Sequence, residues 1–262
     1  MSRTTEEKSE AFRALHVGEP FVIPNPWDVG SARVLAALGF RALATTSSGF
    51  AFTLGRLDGG ATLDEVVAHV AALGQATNLP LSVDLEYGHG ADPGLAIRRV
   101  AAAGAVGASI EDWDGARLYD PDEAVERVAT AVAAARAVGF PFTLTARAEN
   151  HLRGNPELSD TIARLQAFAA TGADVLYAPG LRTLEEIRAV CGSVTKPVNV
   201  LARPNLTFAE LVEAGAQRVS VGGALTWAAV HALAEAASAI RDRGDFSQLG
   251  ASPPLEDWFA PS

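Results

Sequence analysis

One unit repeats along this chain and constrains its fold more than any other feature. A short apolar run is followed by polar residues, then by an Ala-rich amphipathic stretch ending in glycine. The glycines are Gly39, Gly74, Gly104, Gly139, Gly172, Gly192, Gly215 and Gly244. A glycine after a helix takes up the left-handed conformation that closes it, because it has no Cβ to clash. Read this way, the strands are Phe21–Asn25, Ala42–Ser47, Leu81–Glu86, Gly107–Glu111, Phe142–Arg147, Asp174–Ala178, Val198–Leu201 and Arg218–Val221. The helices behind them are clearest at Ser31–Leu38, Thr62–Ala76, Pro93–Ala103, Pro121–Val138, Asp160–Thr171, Thr183–Val190, Phe208–Ala214 and Thr226–Arg243. Asp92-Pro93 and Asp120-Pro121 place a capping carboxylate before a first-turn proline. Thr62 with Glu65, and Thr183 with Glu186, fit capping boxes.

Strands alternating with helices pair in parallel through right-handed crossovers. Eight such units close an α/β (β/α)8 TIM barrel. The competing arrangement is an open doubly wound sheet, which carries a glycine fingerprint after its first strand; the segment Asn25 to Gly30 matches it poorly. No composition break marks a linker, so residues 1–262 read as one barrel domain, with a C-terminal helix and tail from about residue 224. Lys plus Arg number 21 against 31 Asp plus Glu, a formal net charge of −10. That argues against a nucleic-acid surface but leaves small anions open. Cys191 is the one cysteine, which excludes internal disulfides and a Cys-cluster metal site; it reads as a small buried filler. The start lacks an apolar signal segment and no run reaches 18 apolar residues, so a cytoplasmic protein without a membrane span is expected.

A barrel puts its catalytic side chains at the C-terminal strand ends, and here those ends are polar. They carry Asn25, Thr46-Ser47-Ser48-Gly49, Asp84-Leu85-Glu86, Glu111-Asp112, Arg147-Ala148-Glu149-Asn150, Tyr177 and Asn199. Asp84 and Glu86, two apart on a strand, are expected to face the same way, with Glu111 on the next strand. Three hard oxygen ligands suit Mg²⁺, or Mn²⁺, over Zn²⁺. The alternative is a buried ion-pair network with Arg147. The planar fork of Arg147 suits a substrate carboxylate. Ser47, Ser48 and Gly49 offer hydroxyl and amide groups to an anion, or else form an ordinary capping turn.

These residues carry a resemblance. Asn25-Pro26-Trp27-Asp28, Ser31-Ala32-Arg33, Thr45-Thr46-Ser47-Ser48-Gly49, Asp58, the run from Val83 to Gly90, Ser109-Ile110-Glu111-Asp112 and Ala146-Arg147-Ala148-Glu149 fall in one order along nearly the whole chain. In that order the chain resembles the isocitrate lyase/phosphoenolpyruvate mutase superfamily. The resemblance implies a barrel whose last helix is exchanged between subunits, in a homo-oligomer that is a dimer or dimer of dimers (a homotetramer). It implies Mg²⁺ on Asp84, with Glu86 and Glu111 helping directly or through water. It implies a 2-oxo acid held by Ser48, Gly49 and Arg147, with Asp58 near the metal waters or the reacting group. The reactions make or break C–C or P–C bonds beside an enolate.

One departure narrows the activity. Lyases of this superfamily carry a Lys-Lys-Cys-Gly-His loop after the fourth strand, and Glu111 to Asp120 here holds no Cys, Lys or His. The expected reaction is therefore Mg²⁺-dependent cleavage of a small 2-oxo or 2-hydroxy dicarboxylate, most economically oxaloacetate decarboxylation. The alternatives are phosphonopyruvate-type P–C chemistry, methylisocitrate-type cleavage with another proton donor, a phosphate-binding barrel using Val221-Gly222-Gly223, and a 2-oxo acid binding protein without turnover. Tyr177 and Asn199 read as pocket-lining. Trp113, Arg117 and Tyr119 read as either a lid or a surface loop, and His89 and His151 as solvated loop histidines. The tail from Ser252 to Phe259 reads as packing on a neighbouring subunit or folding back on its own barrel.

Overall fold

The computed structural model describes residues 3–250 and 252–259. Its strands are β1 (Phe21–Ile23), β2 (Leu43–Ala44), β3 (Leu81–Asp84), β4 (Gly107–Glu111), β5 (Thr143–Arg147), β6 (Val175–Tyr177), β7 (Val198–Leu201) and β8 (Arg218–Ser220). All pair in parallel, in the order β1-β8-β7-β6-β5-β4-β3-β2. Helices between them complete a (β/α)8 barrel. β1 and β2 share no strand ladder. Their seam is closed by single bonds instead: the Ala44 amide donates to the Pro24 carbonyl at 3.1 Å and the Asn25 side-chain amide to the Thr45 carbonyl at 2.9 Å.

The helices are α1 (Thr5–Leu15), α2 (Val29–Ala37), α3 (Ser47–Thr53), α4 (Leu63–Ala76), α5 (Pro93–Ala102), α6 (Pro121–Ala137), α7 (Leu158–Ala170), α8 (Leu184–Ser193), α9 (Phe208–Glu213), α10 (Ala224–Arg243) and α11 (Leu255–Trp258). The capping boxes at Thr62 and Thr183 form, and Asp92 caps α5 by accepting from the Leu95 amide at 2.9 Å. Asp120 stands at the N-cap of α6 but makes no side-chain cap bond. Gly39, Gly104, Gly139, Gly172, Gly215 and Gly244 take positive φ, whereas Gly74 and Gly192 lie inside α4 and α8.

Buried side chains on the helices' inner faces, such as Leu73, Ile97, Leu165, Phe168 and Ile187, pack into one core with the strands. The N-terminal helix α1, unread in the sequence, closes the barrel base. Its Phe12 is fully buried with Phe21, Ile23, Ala42 and Val106. The bare backbone of Gly107 makes room for it, since a Cβ there would lie 2.7 Å from the Phe12 ring. At the other end of the chain, α10 buries only Thr226 and Ala239 and exposes Leu225, Trp227 and Leu233. The tail turns back on its own chain, with α11 packed on α2 and the Arg33 guanidinium 5.7 Å from the centre of the Phe259 ring.

Candidate active site at the barrel mouth

The strand register builds the site. Glu111 pairs with Arg147, Arg147 with Tyr177, Tyr177 with Asn199, and Asn199 with Arg218. Residues paired across parallel strands point to the same face, so one row of polar side chains runs around the inside of the barrel. Above it opens a pocket lined by Ser47, Ser48, Asp58, Asp84, Arg147, Tyr177, Asn199 and Arg218, among others. Asp84, at the end of β3, is held by neighbours. One carboxylate oxygen accepts from the Ser47 amide at 3.3 Å, and the other from the Ser109 hydroxyl at 3.3 Å and Arg147 Nη1 at 3.4 Å.

Glu86 departs from expectation. The strand stops at Asp84, and Glu86 takes φ +48. Residues two apart share a face only while the chain stays extended. The turn sends Glu86 into a small side cavity with Phe50, Val66, His69 and His89, which Asp84 also lines, whereas Glu86 does not line the main pocket. There its Oε2 has no hydrogen-bond partner. Burial, then the Asp84 and Asp58 charges, push its pKa up to about 8.

Glu111 is also buried, and burial raises its pKa well above the carboxylate range despite Arg147 beside it. It lies 3.3 Å from Arg147 Nη1. Among the described residues, no three His, Cys, Asp or Glu side chains gather closely enough to hold a metal by themselves, so Asp84, Glu86 and Glu111 do not form the expected three-ligand cluster.

Arg147 is the centre of an ion-pair cluster. Its Nε donates to Glu149 at 2.5 Å, and Asp84 and Glu111 flank Nη1. Burial by itself would lower its pKa; Glu111, Glu149 and Asp84 outweigh it and hold the guanidinium charged. Glu149, fully buried, also accepts from Arg153 at 3.1 Å, and its amide donates to Asp112 at 2.7 Å. Asp112 in turn meets Arg164 at 3.0 Å. Burial lifts the Asp112 pKa to about 6, against the pull of the Glu149 amide and Arg164. The buried ion-pair network thus meets the pocket at Arg147 and Asp84, with Asp84 at its open edge. The sequence places Glu149 and Asp112 at polar strand ends and in the motifs of the resemblance, and gives no sign that Glu149 anchors Arg147 with Asp112 behind it.

Ser47 and Ser48 line the pocket, but the expected turn is the first turn of α3, capped by Thr46. Gly49 does not line the pocket. A Cβ on it would lie 2.6 Å from Thr226 Oγ1 and Thr46 Cγ2, so this glycine serves close packing. The Val221 and Gly222 amides both donate to Asn25 Oδ1 at 2.9 Å, which occupies two of the three amides a phosphate cradle after β8 would use.

The loop after β4 is tied down. Trp113 and Leu118 form a bridge, the Arg153 guanidinium lies 4.7 Å from the centre of the Trp113 ring, and Tyr119 is buried. His89 and His151 are not solvated. Their Nδ1 atoms bond the Ala61 carbonyl at 3.0 Å and Thr161 Oγ1 at 3.2 Å, and both side chains are buried.

The family model for phosphoenolpyruvate phosphomutase matches residues 12–241. The chain belongs to this family. A solved structure from Burkholderia cenocepacia J2315, described as a candidate lyase/mutase, is 50% identical with a TM-score of 0.94, covering 98% of this chain and 97% of that one. An uncharacterised protein of Mycobacterium tuberculosis is 36% identical over 87% of each chain. An oxaloacetate decarboxylase of a Bradyrhizobium species is 28% identical over 97% of this chain and 92% of its own.

The protein is therefore an enzyme of the isocitrate lyase/phosphoenolpyruvate mutase superfamily, whose members are lyases and mutases, typically dependent on a divalent metal. Among the described residues, no helix of this family member is long and apolar enough to cross a membrane.

Proposed function

We propose that the enzyme cleaves a C–C bond in a small 2-oxo or 2-hydroxy dicarboxylic acid, with oxaloacetate decarboxylation as the reaction to test first. The observation that carries this reading is Asp84, a carboxylate held by the Ser47 amide and Ser109 hydroxyl at the open edge of a pocket shared with Arg147.

The donor set fits a hard divalent cation. Asp84, Glu111 and Glu149 gather oxygen donors around Arg147, and Glu86 Oε2 is buried without a hydrogen bond, 3.4 Å from His89 Nδ1. Asp84 would hold Mg²⁺ (or Mn²⁺), with water and substrate supplying most other ligands and Glu86 and Glu111 acting behind it. Bound there, the ion supplies Lewis-acid stabilisation of a developing enolate.

The chain's own groups do the rest. Ser47 and Ser48 offer hydroxyls to a carboxylate end, and Tyr177 and Asn199 close the floor. Arg147 braces Asp84, Glu111 and Glu149, and faces negative charge developing above it. Asp58, at the mouth, is in place to order water or pass a proton to the product carbon. The loop after β4 has no Cys, Lys or His to act as an acid. Decarboxylation asks less of such an acid than lysis of a tricarboxylate, and this favours the decarboxylase reading.

The test is product-resolved NMR with oxaloacetate, 2-methylisocitrate, isocitrate and phosphonopyruvate, with and without Mg²⁺, beside Asp84→Ala to correct for decarboxylation by free metal. Pyruvate formed from oxaloacetate and lost in Asp84→Ala is the expected result. No turnover of oxaloacetate above that control overturns the assignment. The same reading takes the enzyme as a homo-oligomer in which a second copy covers the exposed face of α10.

A further inference from the structure

Arg218 presents a different electrostatic situation from the other buried arginines of the site. It opens β8, is 5% exposed, and lines the pocket beneath Asn199 and Tyr177. Arg147 is met by three carboxylates, and Arg164 by Asp112 and Asp160. No carboxylate of the described residues lies within ion-pair distance of Arg218. Its Nε donates to Asn199 Oδ1 at 2.8 Å, Nη2 to Thr145 Oγ1 at 3.0 Å, and Nη1 meets His16 Nε2 at 3.2 Å.

These three partners satisfy hydrogen bonds but carry no negative charge. His16 is held neutral, with Nδ1 bonded to the Phe12 carbonyl at 2.9 Å, so that Nε2 accepts from Arg218. Burial lowers the Arg218 pKa to about 10, where it still remains a cation at neutral pH. Burying a charge without a counter-ion is costly, and the cost is recovered when an anion arrives. The bonds also carry direction into the pocket. Arg218 fixes Asn199 Oδ1 as acceptor, so Asn199 Nδ2 must donate to Ser220 Oγ, 2.9 Å away.

We propose that Arg218 determines specificity for doubly charged substrates: it supplies a positive charge without a carboxylate partner at the pocket floor, acting through Asn199 and Ser220, while Arg147 is shared with carboxylates of the protein. This rests on the pocket being the 2-oxo acid site proposed above. It predicts discrimination between oxalate, a dianion, and oxamate, a near-isosteric monoanion.

His16 allows the charge to be changed from behind, since it caps the C-terminus of α1 and does not line the pocket. His16→Glu places a carboxylate against Arg218, and His16→Gln keeps a neutral acceptor and donor there. Calorimetric titration with oxalate and with oxamate, in excess Mg²⁺, reads the preference, and thermal unfolding checks each fold. In His16→Gln the oxalate-to-oxamate preference should stay within about twofold of wild type, and in His16→Glu it should fall about tenfold.

Arg218→Lys and Arg218→Gln give a second pair in case His16→Glu does not fold. Retained preference in the lysine variant and loss in the glutamine variant follow from charge, whereas equal loss in both points to a structural role and overturns the proposal. An unchanged preference in folded His16→Glu overturns it too, leaving the site assignment intact. Wild type that binds oxalate no better than Asp84→Ala overturns both.

Discussion

Two acidic residues of one short segment have different fates because a single backbone angle separates them. Asp84 ends β3 and lines both the pocket and the side cavity, while Glu86, at φ +48, lines the side cavity and not the pocket. Substitution should reflect this. Asp84→Asn is expected to lower kcat/KM by about a thousandfold, and Glu86→Gln by about tenfold, because it acts only behind Asp84. Steady-state kinetics with circular dichroism on each variant decides it, and equal losses would place Glu86 in the pocket after all. At the base, Gly107→Ala would set a Cβ 2.7 Å from the Phe12 ring and 2.8 Å from the Thr143 carbonyl. Overpacking against a strand carbonyl cannot be relieved by a rotamer change, so a loss of about 1–3 kcal/mol in urea unfolding is expected.

Among the elements, helix starts separate a signal from its use. Thr62 and Asp120 both occupy N-caps, but Thr62 bonds the Glu65 amide at 3.3 Å and Asp120 bonds none. Pro121 after Asp120 already presets the first helical φ, so α6 can start without the cap bond. Thr62→Ala should therefore cost about 1 kcal/mol and Asp120→Ala less than about 0.5 kcal/mol, measured by denaturant unfolding. The eight-unit barrel was legible because each unit carries its own punctuation. Helix α1 was not, since it has no strand partner in the repeat, although Thr4 and Glu7 form a capping box at its start. β2 is shorter than its apolar run predicts: Thr46 leaves the strand to cap α3, so Ser47 begins a helix.

At the scale of the molecule, His16 joins the first helix to the last strand, and its titration bears on the whole fold. Burial, with Arg218 beside it, lowers its pKa from 6.5 to about 3. The unfolded chain thus binds one more proton than the folded one between these values. Stability from this group is complete above pH 6.5 and falls as pH drops from 6.5 toward 3, by up to about 1.4 kcal/mol per pH unit. His16→Gln should flatten that part of the pH–stability curve, as read from urea midpoints between pH 4 and 7; an unchanged slope would show that other groups carry it. The exposed apolar side chains of α10 belong to this scale as well. Light scattering is expected to show a dimer or tetramer, and Leu233→Glu to shift it toward smaller species.

The sequence by itself determined the barrel, the family and the polar strand ends, because those depend on local periodicity, glycine punctuation and short motifs. It also marked Asp84 and Arg147 as the centre of the site. Only the tertiary structure decided which groups meet. Barrel closure put Glu149 on Arg147, left Arg218 without a carboxylate among the described residues, gave the Val221 and Gly222 amides to Asn25, and drew His89 and His151 out of solvent. The physical reason is that charge pairing and burial are properties of neighbours distant in the chain. Arg218 and His16 are 202 positions apart, and no pattern read along the sequence carries that contact.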